Sequence, residues 1–103
     1  MRALVWSGDQ TIGTVHLGIY DEGMAVAGGK FQPNEHYDPL KHATELEGEE
    51  RSGQLGFKPL RVSTASGDQI VEVVVSLVDW AETAGEEHGR EVTVFGLSTT
   101  ADH

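Results

Sequence analysis

The 103-residue chain has no cysteine, which excludes disulfide staples and thiolate-held metal and suits a reducing compartment. Long apolar runs are also missing. The opening stretch MRALVWSGDQ has four consecutive apolar residues, Ala3 to Trp6, where a signal core needs about 7–15 and a membrane span about 20. Neither is expected, and the expected address is the cytoplasm. Cations are scarce: Lys and Arg number 7 against 17 Asp and Glu, a formal charge of −10. Affinity for nucleic acid comes mainly from cations displacing counterions, so no nucleic-acid partner is expected. Catalytic motifs are absent as well. The sequence holds no Gly-x-Ser-x-Gly elbow and no complete phosphate loop. No catalytic residue, cofactor or metal is expected, and the reading leans away from an enzyme.

The length suits one domain, residues 1–103. Residues 3–6 read as a strand. Residues 11–20 alternate, with Val15, Leu17 and Ile19 on one face and His16 on the other. A third strand runs from Met24 to Phe31 after the turn at residues 21–23. The period then changes. Pro33 and Pro39 suit first helical turns, Asp38 is a good N-cap, and Leu40, Ala43 and Leu46 recur at helical spacing up to Gly48. Further strands are expected at residues 60–64, 70–78 and 91–97, the first limited by Pro59.

The string Ser-Gly-Asp-Gln occurs twice, at residues 7–10 and 66–69, each time between β-prone runs. Glycine accepts positive φ, and Ser and Asp bond nearby backbone, so each copy marks a hairpin rather than a duplicated site. The expected fold is therefore α+β: a mainly antiparallel sheet of about six strands, in two three-stranded meanders joined by a short helical connector. Leu17, Ile19, Val26, Phe31, Val73, Val75, Val92 and Val94 are expected in the core, with Leu40 or Leu46 covering them.

Asp21, Met24, Val26, Gly29, Phe31, Pro33 and Tyr37 give the segment a spacing that resembles one in a family of small uncharacterised bacterial proteins. The end of the chain, Val78-Asp79 and residues 91–97, is similar to that family's tail, while the acidic stretch 45–50 departs from it. The resemblance implies no activity. Read on their own physics, Phe31 and Tyr37 flank Pro33 and should pin the connector onto the sheet.

Two functional classes remain. The acidic stretch from Asp79 to Glu91, with Trp80, Glu82, Glu86 and Glu87, suits an interaction module that docks on a protein partner with a basic surface. An immunity or antitoxin-like protein masking a basic nuclease illustrates the type. The alternative is a small-molecule or anion-binding protein, or an enzyme, with a pocket between sheet and connector near Gly28, Gly29, His36 and Tyr37. There the paired glycines expose backbone N–H groups and Lys30 adds charge. His42 and Glu45 would share a helix face able to hold metal, but a polar i,i+3 pair is the better reading. Asp21 and Asp79 read as turn-forming aspartates.

Overall fold

The computed structural model describes residues 2–21, 26–53, 57–70 and 73–96. Ten strands and two four-residue helices follow one another: β1 (Arg2–Ser7), β2 (Gln10–His16), β3 (Gly18–Asp21), β4 (Val26–Pro33), α1 (Pro39–His42), β5 (Glu45–Leu46), β6 (Glu49–Glu50), β7 (Leu60–Thr64), β8 (Gln69–Ile70), β9 (Val74–Asp79), α2 (Ala81–Ala84) and β10 (Arg90–Phe95). All strands join one sheet in the order β6-β5-β9-β10-β4-β2-β1-β7-β8, with β3 paired to β4 beside β2. β7 and β9 lie far apart in that order yet come into contact, so the sheet curls on itself. Phe31, Ile12, Leu77, Val5, Val15, Val62, Val92 and Val94 fill the interior. No helix among the described residues is long and apolar enough to cross a membrane.

This corrects the expected fold class. The protein is mostly sheet and mixed rather than α+β with about six antiparallel strands, and no helical connector joins two halves. Asp38 and Pro39 do start a helix, with the Asp38 carboxylate accepting from the Leu40 N–H at 3.0 Å. It ends after one turn because Thr44 is captured by the edge of β9. Its N–H donates to the Leu77 carbonyl at 2.8 Å, and its hydroxyl accepts from the Leu77 N–H at 2.8 Å. Residues 45–46 then run parallel to Val78 and Asp79, the one parallel pairing in the sheet described. Gly48 is a hairpin residue rather than a helix stop. Leu46 pairs with Glu49 across Glu47 and Gly48, at φ 47° and 86°. Leu40, expected over the core, is 64% exposed, whereas Ala43 is buried and Leu46 packs on the core.

The two Ser-Gly-Asp-Gln copies both mark hairpins but form different turns. Ser7 pairs with Gln10, leaving Gly8 and Asp9 as a two-residue turn with Gly8 at φ 60°. In the second copy Ser66 lies inside the loop, and Gly67 closes it at φ 100° with its N–H bonded to the Thr64 carbonyl. Of the residues expected in the core, Leu17, Phe31, Val75, Val92 and Val94 are buried, and Val26 and Val73 are partly so. The side chain of Ile19 lies outside the described residues, as does Met24.

The curl depends on close backbone approach where β4 crosses β2. A Cβ on Gly29 would lie 2.1 Å from the His16 carbonyl oxygen, and one on Gly13 would lie 2.4 Å from that of Gln32. Neither backbone can move without breaking the ladder. Gly29→Ala is therefore expected to lower unfolding free energy by at least about 2 kcal/mol in denaturant titration. Gly53→Ala, where a Cβ meets nothing within 4 Å, is the comparison and should be near neutral.

Candidate binding face around Trp80

Strand parity builds the site. In β9, Val75, Leu77 and Asp79 are buried in alternation, so Asp79 occupies an apolar phase and its carboxylate turns inward. In β10 the same phase carries Arg90, Val92 and Val94, and Arg90 stands directly opposite Asp79. The two charges meet at the end of the core, with Arg90 Nε 3.0 Å from Asp79 Oδ2. Tyr37 reaches the same oxygen from the connector, its hydroxyl donating at 2.6 Å. The Ala81 N–H donates to Oδ1 at 2.8 Å, so both oxygens have partners.

The ring of Tyr37 packs edge-on against Phe31 at 5.1 Å, and the Arg90 guanidinium lies over it at 5.4 Å. That is the pin between connector and sheet that the spacing of Phe31 and Tyr37 suggests. Burial pushes the Asp79 pKa up, but bonds from Tyr37, the Ala81 amide and Arg90 outweigh it, and the net direction is down. Burial, then the Asp79 carboxylate, raises the Tyr37 phenol well above its ordinary range. His42 is lowered, chiefly by burial. Its Nδ1 accepts from the Asp38 N–H at 3.0 Å, and Glu45 turns instead to Trp80.

Trp80 follows Asp79 and opens α2, with its N–H bonded to the Gly89 carbonyl at 2.6 Å. Its side chain is 38% exposed. The indole N–H donates to Glu45 Oε2 at 3.3 Å, and the ring lies so close to Gly48 that a Cβ there would sit 3.0 Å from it. Glu47 holds the hairpin against α2: its N–H bonds the Asp79 carbonyl, and its carboxylate accepts from the Glu82 N–H and the Thr83 hydroxyl. Glu47 has positive φ, a conformation costing about 1–2 kcal/mol for a side-chain-bearing residue. These bonds offset it.

The structure brings Trp80, Glu82, Glu86 and Glu87 to one surface, joined by Glu45 and Glu47, which sequence reading missed. Glu82, Glu86 and Glu87 are exposed; Glu86 lies 3.8 Å from Arg90, and Glu87 borders a cleft of about 490 Å³ beside Trp80. The second expected group does not assemble. Gly28 and Gly29 lie within β4, paired to Thr93 and Val92, rather than where a strand meets a helix. His36 is exposed on the far side of the connector, with Nδ1 3.2 Å from Gln10 Nε2, while Tyr37 turns under it to Asp79. The side chain of Asp21 lies outside the described residues. Among the described residues no group of three or more His, Asp or Glu could hold a metal ion. Comparison with family models, with curated proteins and with solved structures finds no match.

Because its folded pKa is depressed, Asp79 contributes stability that is fully present above about pH 4, the ordinary range of the unfolded carboxyl. That contribution is lost as pH falls through the lower folded value. Asp79→Asn is expected to cost about 3 kcal/mol at neutral pH, because it removes the close ion-pair partner of a guanidinium whose side chain is only 13% exposed. Tyr37→Phe should cost about 2 kcal/mol through the lost bond to a charged group. Denaturation at a series of acidic pH values should show a shallower acid slope in Asp79→Asn than in the wild type.

Proposed function

We propose that the protein is a small acidic binding module that docks its Trp80 face on a basic protein surface. The observation that carries this reading is the placement of a part-exposed indole among carboxylates from two separate elements. Glu45 and Glu47 come from the β5–β6 hairpin, and Glu82, Glu86 and Glu87 from α2 and the turn after it. Aromatic side chains that bury a large area at little entropic cost dominate interface hot spots. Surrounding carboxylates steer a cationic partner and speed encounter. The cleft beside Trp80 adds a concave place for a partner side chain. Masking a basic active surface, as immunity proteins and antitoxins do, is one form that such docking takes.

The chemistry divides the labour among these groups. The exposed Glu86–Arg90 contact is worth little to folding, so Glu86 is free to serve association. Capture of basic proteins on the immobilised wild type should weaken as salt approaches the physiological range, where the Debye length is about 8 Å. Replacing Glu82, Glu86 and Glu87 with Gln should mainly slow association, and Trp80→Ala should mainly speed dissociation. Circular dichroism checks that both variants fold. Retention indifferent to salt and to both variants would leave this face as solvated surface only.

A further inference from the structure

On the outer face of the sheet, register and parity align two cationic side chains and a histidine in a row. Arg2 stands opposite His16 in the β1–β2 ladder. Val15 stands opposite Phe31 in the β2–β4 ladder, and the next step of that register puts His16 beside Lys30. The close approach of Gly29 to the His16 carbonyl draws the two strands together at this step. Arg2, His16 and Lys30 are all exposed. With Thr14 and Gln32, one pleat further along the same face, they line a notch of about 250 Å³. Glu91 bounds the row on the far side of Lys30.

Such a row is out of character for a chain of charge −10. Three of the other five cations are engaged: Arg51 and Arg90 form ion pairs, and Arg61 binds the Gly8 carbonyl and covers Trp6. Among the described residues no ion pair takes Arg2 or Lys30. An anion in the notch would take charge-assisted bonds from Arg2 and Lys30. The Thr14 hydroxyl and Gln32 amide are neutral donors within the same notch.

We propose that this notch is a binding site for a compact dianion of the phosphate class, held by Arg2, His16 and Lys30. The notch suits a small ligand rather than a nucleic acid. The row acts over about a Debye length, whereas the far field of the acidic chain repels a polyanion. The notch lies next to the cleft beside Trp80, and Lys30 borders both, whereas Arg2 and His16 border the notch alone.

The test is an amide NMR titration near neutral pH with inorganic phosphate, set against chloride at equal ionic strength and against acetate. Saturable shifts centred on His16 and Lys30 are expected with phosphate only. Arg2→Gln and Lys30→Gln should each weaken binding roughly tenfold, while Lys41→Gln, on α1, should leave it unchanged. Because Arg2 and Lys30 are exposed, the variants should fold, and their spectra report whether they do. Three results would overturn the site: equal shifts with matched chloride, equal binding of acetate, or phosphate binding undiminished in Arg2→Gln and Lys30→Gln.

Discussion

The Asp79 carboxylate holds together the parts of the chain that have no stability of their own. Four-residue helices and two-residue strands are far below the length at which such elements persist alone. α1, α2, β5 and β6 are all of that kind. The carboxylate reaches α2 through the Ala81 amide, β10 through Arg90 and the connector through Tyr37, and the main-chain carbonyl of Asp79 reaches the β5–β6 hairpin through Glu47. One buried residue thus ties four segments to one end of the core, three through its charge and the hairpin through its carbonyl. Removing a partner leaves this buried charge less fully compensated in a place that water hardly reaches.

From that anchor the surface follows. Trp80 is the next residue, and its position above the hairpin is fixed by Gly48 beneath it and Glu45 beside it. The carboxylates that do not hold the fold together are left facing solvent around it. Across the sheet, the crease at Gly13 and Gly29 sets the curl and brings the row of Arg2, His16 and Lys30 close together. The result is a small curled sheet on which an acidic face around Trp80 adjoins a notch with two cations, Lys30 bordering both.

Local signals in the sequence were legible where the structure is local. Alternation located the stretch that forms β2 and β3, β-prone runs between turn residues located β1, β4, β7, β9 and β10, and Gly8 and Gly67 marked hairpins through positive φ. The Asp38-Pro39 pair marked a helix start. Helical spacing misled from Ala43 onward, because a tertiary contact decides that stretch. Thr44 gains more from the open edge of β9 than from another helical turn, and two-residue strands leave no period to read. The grouping of Trp80 with Glu82, Glu86 and Glu87 was legible because those residues are sequence neighbours. The addition of Glu45 and Glu47 was not, since they arrive from 35 residues away. Asp79 read as a turn residue, yet its phase with Val75 and Leu77, and that of Arg90 with Val92 and Val94, were available signals of an inward pair. The anion-binding expectation at Gly28 and Gly29 took paired glycines for exposed backbone. They are there because β4 must pass close to its neighbours.

The most direct test of the role given to Asp79 is amide hydrogen exchange, compared between the wild type and Asp79→Asn. The expected result is a sharp loss of protection at Glu47, Ala81 and Ala84, which hold the hairpin and α2 in place. Amides in β1, β2 and β7 should keep theirs, since their ladders do not involve this end of the core. Unchanged protection at Glu47 and Ala81, or an equal loss across every strand, would contradict the assignment of Asp79 as the anchor of these segments.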